Sequence, residues 1–220
     1  MAEALNPIFT VGHSTHEWEP FVGLLLRHRI QVVADVRSQP FSRIPHFNRD
    51  ALAAALKARG IAYVQMGREL GARRDERECY VDGQAVYERV AELPLFRDGI
   101  RRLANDSRER VIALMCSEKE PLDCHRTVLI CRRLKPHGMP IRHILADGTA
   151  EDHAVTEDRL MRLMGIEPEQ GDLFTLPQDL LEQAYEARGK EIAYCGDMSG
   201  TRRDARVIGT TSVCELASAL

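Results

Sequence analysis

Between residues 8 and 145 the chain alternates short apolar, β-branched runs with stretches of helical period, and that alternation restricts the fold more than any other feature. IFTVGHS (8–14), QVVADV (31–36), IAYVQM (61–66), RVIALMC (110–116) and PIRHIL (140–145) read as strands. After the first, Ser14 and Glu17 form an S-x-x-E capping-box pattern ahead of a helical apolar face of Trp18, Phe21, Val22, Leu25 and Leu26. Asn48 is placed to cap an Ala-rich helix that Gly60 ends, and further helical patterns cover 84–91, 94–104, 123–135 and 153–164. Strands separated by helices are joined most simply as parallel βαβ units with right-handed crossovers. The expected fold class is therefore α/β: a three-layer sandwich with a mostly parallel central sheet of about five strands, plus a C-terminal helix and tail. Residues 8–165 form the α/β domain in this reading. Residues 166–195 add a helix (QDLLEQAYEARG) and a short strand (EIAYC) on the same domain, and 196–220 is a flexible tail.

Composition narrows the partners. A net charge of -3 supplies no overall field for nucleic acid or an anionic membrane. No apolar run approaches the ~20 residues that cross a bilayer, and the first residues lack the basic and apolar regions of a secretory signal. A cytoplasmic location, with reduced thiols, is the expectation. Nucleic acid is not indicated by net charge. The arginines of RSQPFSR and GARRDER, near Phe41, Phe47 and Tyr80, still leave a non-catalytic nucleic-acid-binding or regulatory module as one alternative.

Ligands of an open parallel sheet bind beyond the carboxyl ends of its strands. Gly12, His13 and Ser14 end the first strand here, Asp35 and Arg37 the second, Cys116 the fourth and His143 the fifth. In LMCSEKEPLDCHR, Asp123 is a plausible N-cap that puts Cys124, His125 and Arg126 in a first helical turn. A cation at a helix N-terminus is unfavourable unless an anion faces it, so Arg126 suggests an anionic ligand, and the same field favours a Cys124 thiolate. The candidate catalytic residues are Cys116, Cys124, His125, His13 and Asp35, and the candidate substrate-binding residues are Arg37, Arg126, Ser14 and Glu118. Each has a plainer alternative. Cys116 is a small core residue in that case, Asp35 and Arg37 an ion pair, His143 a satisfied buried histidine and His13 a turn residue. Cys131 reads as core, and Cys79, Cys195 and Cys214 carry no pattern. The segment after residue 66 reads as a solvated face or as a lid hinged at Gly67 and Gly71.

TVGHS, ADVR followed by QPFSR, GIAY, the Leu70-Gly71 pair and above all the C-x-E-x-x-P-x-x-C-H-R string (Cys116, Glu118, Pro121, Cys124, His125, Arg126) resemble the DUF 488 family. The likeness covers about residues 8–195, and it implies the architecture without implying an activity. In layout, ADVR, then strand–Cys–loop–Arg–helix, is also similar to rhodanese-type sulfurtransferases, in which a strand-end Cys carries a persulfide. The seven-residue loop with Glu118, Glu120 and a proline departs from that pattern. The favoured expectation is a thiol-centred enzyme acting on a small anionic or nucleotide-like substrate. The alternatives are a rhodanese-like sulfurtransferase and a zinc- or iron-binding protein using Cys116, Glu118, Cys124 and His125; the sequence itself requires no cofactor.

Overall fold

A computed structural model describes residues 5–166 and 176–196 of the protein. Its strands are β1 (Ile8–Gly12), β2 (Val32–Asp35), β3 (Ala62–Gln65), β4 (Tyr80–Val81), β5 (Gln84–Ala85), β6 (Ile112–Cys116), β7 (Ile141–Ile144) and β8 (Ala150–Asp152). The helices are α1 (Trp18–Arg27), α2 (Arg49–Ala58), α3 (Gly67–Leu70), α4 (Tyr87–Glu92), α5 (Pro94–Asp106), α6 (Arg132–Leu134), α7 (His153–Leu163) and α8 (Pro177–Ile192). Six strands form one sheet in the order β3-β2-β6-β1-β7-β8. The five expected strands run parallel, and β8 adds an antiparallel edge. The tail from residue 197 onward, and Cys214 within it, lies outside the described residues.

Side chains alternate across the sheet, and each face has its own core. Phe9, Val11, Val33, Ala113 and Met115 pack with Phe21, Leu25, Leu52 and Leu56 of α1 and α2. Ile8, Val32, Ala34, Ile112, Leu114 and Cys116 point the other way, toward Val90, Ile100, Val128, Leu160 and Tyr185. Each large apolar side chain so buried contributes roughly 1.5–3 kcal/mol. The alternation also fixes a point of chemistry: Cys116 ends β6 on the second face, whereas Asp35 ends β2 on the first.

Local departures from the expected elements have identifiable causes. The Ser14–Glu17 capping box does not form, because Ser14 turns into a positive φ of 44° and α1 begins only at Trp18, with Glu17 as an N-cap that makes no side-chain bond. Asn48 does precede α2, but its Oδ1 accepts from the Ser42 N–H (2.8 Å), so it fastens the preceding loop instead of the helix. The helix expected over 84–91 is shortened. Asp82 and Gly83, at φ 49° and 79°, turn a β4–β5 hairpin before α4 starts, as an Asp-Gly pair does in a tight hairpin. The expected strand EIAYC is a single bridge from Cys195 to Gln84, extended by Ala85 N–H to Tyr194 O (2.9 Å).

His143 is not part of the site. A directed hydrogen-bond chain takes it into the core: Thr10 Oγ1 to His143 Nδ1 (2.8 Å), His143 Nε2 to His153 Nδ1 (2.9 Å), His153 Nε2 to Tyr185 Oη (3.1 Å), and Tyr185 Oη to Glu157 Oε1 (3.0 Å). With both imidazoles neutral, every link has one donor and one acceptor. Burial pushes His143 well below its ordinary value of 6.5 and, with Lys135 adding to it, His153 down to about 4. Their neutral form is the stable one in the fold, so the unfolded chain takes up protons first as pH falls. Stability is complete above pH 6.5 and is lost toward about pH 4, by on the order of 3 kcal/mol for His153 alone. Denaturant unfolding across this range is expected to show that decline. Tyr185→Phe, which orphans His153 Nε2, is expected to lower stability at neutral pH by roughly 1–3 kcal/mol.

Candidate functional site

β1 and β6 lie side by side with Gly12 opposite Cys116. The ladder continues past the strands, His13 N–H to Cys116 O and Ser14 N–H to Ser117 O, both 2.9 Å. The loop after Cys116 then folds back over β1. A Cβ on Gly12 would stand 1.8 Å from the Glu118 carbonyl oxygen, so that close approach requires glycine. Gly67 and Gly71 serve the same end. A Cβ there would lie 1.9 Å from Arg37 O or 2.3 Å from Gly67 O. For the segment after residue 66, read as a solvated face or as a lid, the two glycines are thus accounted for by close packing.

The helix expected to start behind Asp123 is built differently. Pro121–Asp123 make a 3-10 turn, Cys124 is extended (φ -137°, ψ 138°), and Arg126–Cys131 wind as a π-helix before α6. Asp123 is not the cap; it pairs with Arg188 of α8. Glu120 accepts from Leu122 N–H (3.3 Å) and pairs outward with Arg159 (2.7 Å). Glu118 turns inward. π-helical turns concentrate at functional sites, and this one sets Cys124 and His125 against the strand end.

Four reactive groups meet there. His125 Nδ1 is 3.7 Å from Cys116 Sγ and 3.8 Å from Cys124 Sγ, and Cys124 Sγ is 3.0 Å from Glu118 Oε2. The two sulfurs and Nδ1 all lie within 4.8 Å of one another. His125 Nε2–H donates to Val36 O (3.1 Å), which turns Nδ1 toward the sulfurs. Arg126, fully buried, donates to Glu118 O (2.7 Å) and Lys119 O (3.1 Å), and its backbone N–H points at Cys124 Sγ (3.4 Å). It was expected to face an external anion. It instead holds the loop and supplies the countercharge to the sulfurs.

The electrostatics follow from this packing. The bond to Cys124 and burial push the Cys116 thiol well up. Burial alone would raise Cys124 too, but the bond from Cys116, the Arg126 guanidinium and His125 outweigh it and hold Cys124 well below the usual thiol range. Burial would lower His125, yet the hydrogen bond and charge of Cys124, then Glu118, keep it above its ordinary value. Burial and the Cys124 charge raise Glu118. These shifts favour a thiolate on Cys124 over one on Cys116, and the protonated form of His125 beside them.

His13, Asp35 and Arg37 form a separate brace on the other face. Asp35 takes Arg37 Nε (2.8 Å) and Nη2 (2.6 Å) as a two-point pair and also accepts from Tyr63 Oη (2.7 Å). Arg37 Nη2 reaches Phe47 O (2.9 Å), and Nη1 donates to His13 Nε2 (3.2 Å). His13 Nδ1–H donates to Ser14 O (3.0 Å), and the ring stacks on Phe47 at 4.3 Å. Burial, with Arg37 beside it, drops His13 to about 4, and both of its nitrogens are committed. The structure therefore does not bring His13, Ser14 or Asp35 to the cysteines. Arg37 does reach the cleft, but with most of its five donors spent.

Cys116, Glu118 and His125 open onto a cleft of about 1130 Å³ at the carboxyl edge of the sheet. Its rim carries Arg43, Arg73 and Phe41, the last 78% exposed. Arg43 and Arg73 have no carboxylate partner among the described residues; Arg73 lies over the Tyr194 ring at 4.4 Å. Tyr87 forms part of the wall and was missed in the sequence, where the Asp82-Gly83 turn signal would have moved the helix start to it. Burial pushes its phenol up, with Cys124, Cys116 and Glu118 as its titrating neighbours. Cys131 is core, as expected, and Cys79, to which the sequence assigned no role, is core as well.

A family model described as domain of unknown function DUF488 matches residues 17–132, more than half of the chain. The chain belongs to this family. The DUF488 match is shorter than the span over which the sequence resembles the family, and it contains Asp35, Arg37 and the whole Cys116–Arg126 string while leaving out Gly12 and His13. No curated protein and no solved structure gave a match. No helix among the described residues is long and apolar enough to cross a membrane.

The Gly12 contact is open to a direct check. Gly12→Ala is expected to force the 117–119 loop off β1, lowering stability by roughly 1–3 kcal/mol and erasing the abnormal thiol titration, as followed by thiolate ultraviolet absorbance against pH.

Proposed function

We propose that this DUF488 protein is a thiol-centred enzyme in which Cys116 is the nucleophile toward a small anionic substrate. One observation carries the reading: of the two sulfurs that share a charge, Cys116 is the one that lines the cleft, at 4% exposure, while Cys124 stands behind it at 1%. The Cys116 proton passes to Cys124, whose sulfur is already in hydrogen-bond contact with Glu118. The charge left on Cys116 Sγ faces the His125 imidazolium. Sulfur then forms its bond to the electrophilic atom of the substrate as the bond to the leaving group breaks, and His125 gives the departing group its proton. The rim arginines draw the anion in.

Two thiols that share one charge lose their protons in separate steps. Thiolate absorbance of the unaltered protein is expected to rise once below and once above the free-thiol value of about 8.5, and Cys116→Ser or Cys124→Ser to leave a single step. Iodoacetamide at neutral pH, with the labelled site mapped by mass spectrometry, is expected to modify Cys116 first. Labelling of Cys124 ahead of Cys116, or no labelling of either, would sink the nucleophile assignment.

A metal centre is the second reading, and one measurement favours it. His125 Nδ1 is nearly equidistant from the two sulfurs, at 3.7 and 3.8 Å. One N–H can aim at only one of them, whereas a central ion satisfies both. A tetrahedral zinc with bonds of about 2.3 Å to sulfur and about 2.05 Å to nitrogen sets those atoms roughly 3.6 Å apart. Glu118, in contact with Cys124, is a candidate fourth donor, and the Val36 carbonyl on Nε2 is the outer partner that metal-bound histidines usually have. Elemental analysis of protein purified without chelator discriminates: about one zinc or iron per chain, lost in Cys124→Ser, replaces the nucleophile reading, and a metal-free protein retires this one.

A further inference from the structure

Tyr87 presents an unexplained polar group. The side chain is 5% exposed, and its ring lies against helix α8, where a Cβ on Gly189 would meet it at ordinary contact, 3.4 Å. Its hydroxyl has no hydrogen-bond partner among the described residues, although the residue lines the cleft beside Cys116, Glu118 and His125. That hydroxyl is not among the buried polar atoms left without a partner, so it opens to the cleft, where an acceptor on a bound ligand can take the place of water. The other buried tyrosine of this face, Tyr185, has two partners.

The groups around that hydroxyl define the acceptor. Glu118 and Cys124 already share their own contact, and Asp123, also on the wall, is held by Arg188. The rim opposite them carries Arg43 and Arg73, both without carboxylate partners among the described residues. A phenol donor at the floor and two guanidinium groups at the mouth match a ligand with several oxygen acceptors and negative charge.

We propose that Tyr87 is a substrate-binding residue of this cleft, donating a hydrogen bond to an oxyanion of phosphate or carboxylate type held against Cys116, with Arg43 and Arg73 binding its outer oxygens. This deepens the thiol-enzyme reading by naming the substrate class and rests on that reading only for what happens after binding. The packed ring fixes where the oxygen sits, so the electrophilic atom attached to it comes within reach of the sulfur. Tyr87 serves here as a proton-retaining donor, and no group is transferred to it.

The test uses the whole chain, with Tyr87→Phe keeping the ring packed on Gly189. Inorganic phosphate binding is measured by calorimetry, and alkylation of Cys116 is compared between iodoacetate, which carries a carboxylate, and neutral iodoacetamide. Removing the hydroxyl is expected to weaken phosphate binding, or to slow iodoacetate relative to iodoacetamide, by roughly tenfold. Loss confined to phosphate assigns a phosphate-type ligand, and loss confined to iodoacetate assigns a carboxylate. No loss in either arm, or equal slowing of both alkylating reagents, overturns the proposal. Alkylation of Cys116 in the unaltered chain separates this proposal from the nucleophile reading. A Cys116 inert to both reagents, with phosphate binding still dependent on Tyr87, removes the nucleophile and leaves the oxyanion site standing.

Discussion

The buried guanidinium of Arg126 is the interaction on which the site depends. An isolated charge taken out of water is prohibitive, so a fully buried arginine needs hydrogen bonds and countercharge around it. Arg126 finds them for both terminal nitrogens, while its Nε is left without a partner among the described residues. Two carbonyls of the loop that follows Cys116 take its N–H groups, and the sulfur pair with Glu118 takes its charge. The consequences run both ways. The loop is pinned over Gly12, which fixes where Glu118 points. A thiolate becomes affordable in the interior, where Cys116 and Cys124 would otherwise both remain protonated. Arg126 was expected to look outward to a ligand, and the structure instead buries it beneath the loop that follows Cys116.

That arrangement needs the sheet to supply a floor. Parallel neighbours place Gly12 beside Cys116 and Asp35 beside Met115, so three strand ends are level with one another. Side-chain alternation then sends consecutive residues to opposite faces. The thiols go to one side, and the Asp35–Arg37–His13 brace goes to the other. The two groups are still coupled mechanically, because the peptide between Asp35 and Arg37 offers its Val36 carbonyl to His125. The brace holds that backbone still, and the imidazole is oriented as a result.

Much of this was legible in the amino-acid order. The strand–helix alternation marked the five parallel strands, and the Cys116–Arg126 string marked the loop that gathers the two cysteines and His125. The errors have physical causes. Strand ends show which edge a residue reaches, but a reading by strand ends alone ignores the two-residue period, and that is how Asp35 and His13 were grouped with the cysteines. His143 lies one position before its strand's end, and this suffices to bury it in a relay with His153 and Tyr185. Tyr87 was missed because the Asp82-Gly83 turn was not used to move the start of α4 to it, and no local pattern shows that its side chain reaches the cleft. The π-helical turn left no mark either, since a turn widened by one residue keeps an apolar run that looks ordinary.

The position of β1 within the sheet has a consequence for the limits of the folding unit. This strand is flanked on both sides, by β6 and β7, and it carries the glycine beneath the reactive loop. It lies before the first residue of the matched DUF488 span, and β7 lies after the last. A fragment trimmed to 17–132 would therefore keep every cysteine-string residue but lose both β1 and β7, exposing the edge of β6 that β1 covers. Unpaired edges of that kind invite association with other chains, so such a fragment would carry the motif and aggregate before displaying its chemistry.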